Sequence, residues 1–259
     1  MTQTEKRLFL IQELLKEQPQ YSKMEIPTNE QKQKVLLRSL FNICMPLPVN
    51  DAFLDVQNAY LQEEIRRKGI TKLTELEPIQ KGLYLWQGDI TTLECDAIVN
   101  AANCQMLGCF CPNHGCIDNA IHTFSGIQLR LACFDLMKQQ GHEEETGTAK
   151  MTLAYNLPCQ YVIHTVGPIV SGWLTKKDKK MLVSCYRSCL ELAEQKGLKS
   201  IAFCCISTGE FHFPNDKAAE IAIQTVKSFK AQAHSEIEVI FNVFKDIDYK
   251  IYQELLKTN

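Results

Sequence analysis

No stretch of this chain approaches the roughly eighteen consecutive apolar residues that a membrane-spanning helix needs. No membrane partner is therefore expected. The opening residues MTQTEKRLFLIQELLKEQ carry charge throughout their apolar stripe and lack the continuous apolar core of a signal peptide. A cytoplasmic location is the expectation. Basic charge is not in excess either: the formal net charge is -2. Nucleic-acid binding rests on neutralising phosphates, so nucleic acid is not an expected partner. The short basic run TKKDKK, Thr175 to Lys180, reads as a solvated loop or a helix start. Internal repeats and low-complexity segments are also missing.

Cysteine, by contrast, is plentiful, with twelve in 259 residues. In a reducing compartment so many thiols do not imply a disulfide framework. Cys44, Cys133, Cys185, Cys189, Cys204 and Cys205 sit singly inside apolar runs, where free cysteine packs as a small hydrophobe. The cysteines from Cys104 to Cys116 are different, because their segment is rich in Gly, Pro and Asn.

The chain is long enough for one large domain, or one domain with an appendage. Residues 1 to about 75 read as helical, with Leu8, Ile11 and Leu15, then Val35, Leu36 and Leu40, then Leu54, Leu61 and Ile65 at helical spacing. MPLPVND (Met45 to Asp51) interrupts them, Asp51 is a candidate cap for the next helix, and Gly69 can end it. From Leu83 the pattern changes. LYLWQGDI, DAIVNAAN, KMTLAYNL, YVIHTVG, SIAFCCIS and IEVIFNVF read as six strands, several of them continuously apolar, as strands covered on both faces should be. Helical segments are expected at 118–124, 127–139, 179–196, 215–229 and 247–256. Alternation of this kind predicts an α/β sandwich around a mostly parallel sheet. Ligands bind such sheets beyond the carboxyl ends of the strands, which selects the loops after Gly88, Asn103 and Ser207.

Three loops carry chemistry. In the first, Cys109, Cys111, His114 and Cys116 offer thiolate and imidazole ligands, and Pro112, Asn113 and Gly115 permit the tight turns needed to converge them. Four protein ligands would close a zinc site and make it structural; three would leave a position for water or substrate. Cys111 is the ambiguous member. Asp118 follows two residues after Cys116 and opens a helix, where a carboxylate caps by default. Beside a metal it could instead orient or deprotonate a water. In the second loop, ISTGEFHFPND, the backbone of Ser207, Thr208 and Gly209 could cradle a phosphate, and Phe211 and Phe213 either stack on a ligand or staple the loop to the core. The third, QGDIT, places Asp89 just past a strand, as a hydrogen-bonding group for a nucleoside or as an ordinary turn residue.

Together QGDIT at 87–91, DAIVNAAN at 96–103, IDNAIH at 117–122, YVIHTVGP at 161–168 and ISTGEFHFPNDKAAEIA at 206–222 resemble a macrodomain, the ADP-ribose-binding fold. The resemblance implies a three-layer α/β/α domain with a mixed, mostly parallel six-stranded sheet over 79–259. Residues 1–78 would form a helical extension packed on it. GCFCPNHGC, in place of the usual glycine-rich loop, is similar to the zinc-containing bacterial macrodomains, the sirtuin-linked branch that hydrolyses ADP-ribose from protein side chains. By that resemblance Asp89 and the backbone of Ile90 would bind the adenine end, and Asn103 the distal ribose. Ser207, Thr208, Gly209, Glu210 and Phe211 would wrap the diphosphate and its ribose. Asp118 with Asn103 would be catalytic, and Cys109, His114 and Cys116 would hold one Zn2+. Cys111 departs from the family pattern, where an apolar residue is usual. The implied partners are ADP-ribose and a mono-ADP-ribosylated protein, with a lipoylated carrier protein as one candidate. Two functions follow: a zinc-dependent hydrolase of protein-linked mono-ADP-ribose, or a non-catalytic reader with a structural zinc. A nucleic-acid-end processing enzyme is a more distant third, disfavoured by the charge balance.

Overall fold

In the computed structural model, residues 1–21 and 23–258 are described. They form eight α-helices and, for the main sheet, seven strands. Helices α1 (Gln3–Lys16), α2 (Glu30–Ile43) and α3 (Asp51–Lys68) make up the N-terminal part. Each starts at a side-chain cap that satisfies otherwise orphaned backbone N–H groups. Thr2 and Glu5 form a capping box on α1, with Glu5 N–H donating to Thr2 Oγ1 at 3.2 Å and Thr2 N–H to Glu5 Oε2 at 2.7 Å. Asn29 caps α2. On α3 the cap is Asn50, whose Oδ1 accepts from Phe53 N–H at 2.8 Å; Asp51, the expected cap, is instead the first helical residue. Gly69 ends α3 with φ of 90°, a conformation that only glycine adopts without strain.

The nine strands among the described residues are β1 (Thr71–Lys72), β2 (Pro78–Gln80), β3 (Leu83–Gln87), β4 (Leu93–Glu94), β5 (Ala97–Ala102), β6 (Ala149–Leu153), β7 (Tyr161–Val166), β8 (Ser200–Phe203) and β9 (Glu238–Val243). The main sheet has the order β2-β3-β9-β8-β5-β7-β6, parallel from β3 to β7 and antiparallel at both edges. The six expected strands are all present. The seventh, β2, begins at Pro78, which lacks an N–H to donate and is tolerated because the strand lies at an edge. A separate parallel pair joins β1 to β4. Helices α4 (Ile117–Ser125), α5 (Ile127–Gln140), α6 (Lys176–Gln195), α7 (Asn215–Ala233) and α8 (Asp246–Thr258) complete the chain. Helix α6 starts three residues before the expected Lys179, because Thr175 and Asp178 form a capping box, so TKKDKK is a helix start. Among the described residues, no helix is long and apolar enough to cross a membrane.

Topology selects the place for a ligand. Strands β5 and β8 are neighbours, yet the chain leaves β5 toward β6 and β7 on one side and leaves β8 toward β9 on the other. Their carboxyl ends therefore flank a crevice at a topological switch point. The loops at 103–116 and 204–214 both leave from it.

Helices α1 to α3 bury an apolar cluster of their own, including Leu10, Ile11, Leu37, Leu40, Phe41 and Leu61, while Ile65 reaches the main core. Arg130 on α5 ties the two together. It is 3% exposed, donates from Nε to Leu107 O at 2.7 Å and from Nη1 to Phe41 O at 3.0 Å, and also donates to Cys44 O. Its guanidinium lies 4.4 Å from the Phe110 ring centroid. Burial lowers its pKa, against the nearby thiols and Asp118 that favour the cation. Removing the side chain strands three carbonyls without a donor. Arg130→Ala is expected to lower stability by about 3 kcal/mol. A urea midpoint unchanged from the parent would refute this assignment.

Candidate functional site

The metal-type residues follow β5. Asn103, just past the strand, folds the loop back: its Nδ2 donates to Gly108 O at 3.1 Å and its Oδ1 accepts from Gln105 N–H at 3.0 Å. Gly108 has φ of 80°, and a Cβ there would lie 2.8 Å from the His122 ring, so the turn requires glycine. Beyond it, the ligand atoms of Cys109, His114 and Cys116 lie within 4.8 Å of one another, all three residues half-buried. Cys109 Sγ stands 3.6 Å from His114 Nδ1. Zinc bond lengths and tetrahedral angles place a thiolate sulfur and an imidazole nitrogen about 3.5 Å apart when they share one ion. The donor set and its spacing thus fit a borderline-soft divalent metal.

Cys111 does not join this group. The residue is exposed, and it contributes its backbone instead: Cys111 O accepts from His114 N–H at 3.2 Å and from Asn119 Nδ2 at 3.0 Å. Three ligand-type side chains converge, the number that would leave a coordination position open on a bound zinc.

Asp118 lies in the first turn of α4 and is 5% exposed, but the cap of that helix is Cys116, whose Sγ accepts from Asn119 N–H at 3.4 Å. The capping role considered for Asp118 is therefore filled by a cysteine, and its carboxylate points elsewhere. Asn100 Nδ2 donates to Asp118 Oδ1 at 2.8 Å and also meets His164 Nδ1 at 3.1 Å. Strand register sets this up, since Asn100 and His164 are paired across β5 and β7. An amide that donates both its hydrogens leaves His164 Nδ1 as acceptor, so the ring proton sits on Nε2, 2.9 Å from Thr152 Oγ1. Burial pushes Asp118 up to about 6, against the Asn100 hydrogen bond and the Arg130 charge. Burial also pushes His164 down to about 3 and His122 well below its ordinary value, so both rings are neutral.

His122, one turn along α4, approaches Asp118 Oδ1 at 3.5 Å and is buried with neither ring nitrogen hydrogen-bonded. His122, Cys133 and His164 form a second close group of ligand-type atoms, fully buried. His164 is already committed to Asn100 and Thr152, and the nearby Arg130 charge opposes a further cation.

The loop after β8 faces the metal-type residues. Ser207 has φ of 65°, in the left-handed region, and its buried Oγ has no partner. A Cβ on Gly167 would overlap that oxygen, so the two loops meet through a glycine. Thr208 Oγ1 donates to Cys205 O at 3.0 Å, and Gly209 has open space around it. Phe211 O accepts from Val170 N–H at 2.9 Å. Of the two aromatics, Phe213 is the staple, 1% exposed in the core, while Phe211 stays half-buried. Glu210 turns its carboxylate to the other loop, with Oε1 3.6 Å from His114 Nε2.

Asp89 lies at the far side, where its side chain caps a 3-10 turn over Ile90–Thr92. Its Oδ1 accepts from Thr91 N–H at 3.0 Å and Thr91 Oγ1 at 2.6 Å, and its Oδ2 pairs with Lys68 Nζ at 2.8 Å. Burial raises Asp89, but Lys68 and Thr91 outweigh it and hold the carboxyl below its usual range. Ile90 is buried beside it. Lys68, at the end of α3, also lies over the Phe124 ring at 3.3 Å. Lys68 and the α2 residues that touch the loop had no motif to mark them; Asn100, His122 and His164 stood inside quoted motifs, but no chemistry drew attention to them.

Residues 99–222 match the Macro domain family model. The chain is 55% identical to a protein-ADP-ribose hydrolase of Treponema medium, over 99% of this chain and 100% of that protein. It is 47% identical to a protein-ADP-ribose hydrolase of Staphylococcus aureus, over 95% of this chain and 93% of the other.

The chain belongs to the macrodomain family. A solved Trypanosoma brucei macrodomain in complex with ADP-ribose matches with a TM-score of 0.66 at 29% identity, covering 85% of this chain and 94% of that one. An Oceanobacillus iheyensis macrodomain with ADP matches with a TM-score of 0.62 at 38% identity, over 71% and 94% respectively. The fold class expected from the resemblance is the one observed.

The exposure of Cys111 has a direct consequence. In the native macrodomain, iodoacetamide should modify Cys111 ahead of Cys133, Cys185, Cys189 and Cys204, all held within the apolar core. Peptide mass spectrometry of a time course reads the order, and early labelling of a core thiol would contradict the arrangement described.

Proposed function

We propose that this macrodomain hydrolyses the bond joining mono-ADP-ribose to a modified protein side chain, using a zinc ion held by Cys109, His114 and Cys116. The observation that carries the reading is the meeting of three elements at one crevice. The three ligand-type atoms lie within 4.8 Å of one another, Asp118 lies in the first turn of the helix that Cys116 caps, and Glu210 from the opposite loop approaches His114 at 3.6 Å. The names of the Treponema medium and Staphylococcus aureus relatives support the reaction, and the ADP-ribose-bound Trypanosoma brucei structure supports the ligand.

The chain's own residues divide the work. Asp89 and Ile90 take the adenine end, and Asn103 the distal ribose. The 207–211 loop, with the unpartnered Ser207 Oγ and the open space at Gly209, takes the diphosphate and its ribose. Binding energy from these remote groups fixes the ribose C1″ at the reacting position. Water adds across the bond at C1″: its hydroxyl goes to the ribose, and the proton goes to the departing side chain. Asp118 takes that proton from the attacking water and passes it on. Asn100 holds Oδ1 at 2.8 Å, so the carboxylate arrives already oriented. A bound zinc supplies Lewis acidity toward a ribose oxygen or water.

The alternative, a reader whose zinc is closed by protein, needs a fourth ligand, and Cys111 stands outside the group. The lipoylated carrier suggested by the resemblance is one substrate to assay, and the zinc-containing, sirtuin-linked branch is the proposed place of the chain within its family.

Asp118→Ala should reduce release of ADP-ribose from a mono-ADP-ribosylated protein by about 10²- to 10⁴-fold while keeping most of the affinity for free ADP-ribose. Chelation should do the same, reversibly on adding zinc. A panel of substrates of defined linkage, with release read by mass spectrometry, gives the measurement. Full turnover in Asp118→Ala removes its proposed role, and full turnover after chelation removes the metal's.

A further inference from the structure

The N-terminal helices have no part in the mechanism above, yet one of them touches the metal-type loop at several points. On α2, Arg38 Nε and Nη2 both donate to Asn119 Oδ1, at 3.2 and 2.8 Å, and Nη2 also donates to His114 O at 3.1 Å. One turn further, Asn42 Oδ1 accepts from Asn113 N–H at 2.8 Å, and Asn42 Nδ2 donates to Thr123 Oγ1 at 3.0 Å. Between them, Ser39 Oγ accepts from Asn113 Nδ2.

These contacts fall on the residues that aim the ligands. Asn113 has φ of 55°, a left-handed conformation held by its two bonds to α2, and it directly precedes His114. Asn119, gripped by the Arg38 fork, donates its own N–H to Cys116 Sγ at 3.4 Å and its Nδ2 to Cys111 O at 3.0 Å. One guanidinium is thus connected to His114 directly and to Cys116 through one amide residue.

The stretch from Cys111 to Gly115 is the part of the loop that largely faces solvent. Cys111, Pro112, Asn113 and Gly115 are all exposed. A cavity of about 430 Å³ opens between α2, α3 and α4, lined among others by Arg38, Phe41, Tyr60, Lys68, Asn113 and Phe124. Polar bridges, more than apolar packing, join loop to helix. Ordering a solvent-facing loop costs backbone entropy, and here the fixed partners that offset it come from more than seventy residues away in sequence.

We propose that α2 is the outer shell of the metal centre, and that Arg38, acting through Asn119 and the His114 carbonyl, is the positioning residue that sets how tightly Cys109, His114 and Cys116 hold their ion. This rests on the metal reading given above. It assigns the N-terminal extension a role beyond completing the core. Outer-shell partners of metal ligands commonly contribute about 10- to 100-fold in affinity.

The test uses the full chain, with Arg38→Ala, Arg38→Lys and the exposed control Lys32→Ala on the same helix. Zinc affinity is measured by competition with a chromogenic chelator, and the cobalt-loaded spectrum reports the thiolate and imidazole environment. Arg38→Ala should bind zinc about 10- to 100-fold more weakly and shift the cobalt bands. Arg38→Lys, which keeps the charge and loses the planar fork, should recover only part of the affinity. Lys32→Ala should match the parent. Melting of the metal-free forms separates this from general unfolding, and if Arg38→Ala does not fold, Arg38→Lys carries the comparison. Parent-like affinity and spectrum in the folded Arg38 variants would overturn the inference and leave the metal reading standing. A parent chain that takes up no zinc would overturn both.

Discussion

Two parallel strands side by side, from which the chain departs in opposite directions, are the constraint on which this structure depends. Strands β5 and β8 are buried on both faces, so their side chains are largely spent on the core. Only beyond their carboxyl ends can the backbone turn polar groups toward a ligand. The crevice between the departing loops follows from connectivity, and each loop must then satisfy its own backbone. Asn103 does so after β5, by bonding Gly108 O and Gln105 N–H, and Thr208 does so after β8, through Cys205 O. The half-buried His114 and, from the opposite loop, Glu210 are brought together by this arrangement of strands, with nearly one hundred residues of chain between them.

Beneath the crevice lies a buried polar row that would be costly unless satisfied. Asn100 donates to both Asp118 and His164, and His164 in turn reaches Thr152. Satisfaction in this row is imperfect at two residues: Asn100 Oδ1 has no partner, and His122 is buried with neither ring nitrogen bonded, close to Asp118. Such departures from full pairing collect where a fold serves chemistry. Arg130 plays the opposite part, since its several donations to carbonyls join the helical N-terminal cluster to the domain that carries the site.

Much of the architecture was legible along the chain. Apolar runs marked all six strands of the expected sheet, and the five later helices lay within a few residues of their observed bounds. The misses were local. Asp51 yields the cap to Asn50, which precedes it by one residue and has the same capping chemistry. The edge strand at Pro78 was invisible, because three residues led by proline carry no strand periodicity. Helix α6 began early because Thr175 and Asp178 are a capping box inside a basic run. In the site, Asp118 was read with a cap as its default, and the cap proved to be the Cys116 thiol.

The sequence by itself determined the alternation of strand and helix, the three loops that carry chemistry, and the Cys/His spacing, because each is written in neighbouring residues. Tertiary structure alone decided which thiol stays out of the ligand group. Cys111 has the same chemistry as Cys109 and Cys116, yet its side chain is exposed while theirs are half-buried, and the turn that follows it at Asn113 is bonded to α2. It alone paired Glu210 with His114, Lys68 with Asp89, and Arg38 with Asn119. Those contacts join residues 21 to 96 positions apart, where no local pattern can signal them. They arise when the packed sheet and helices place the loop ends side by side.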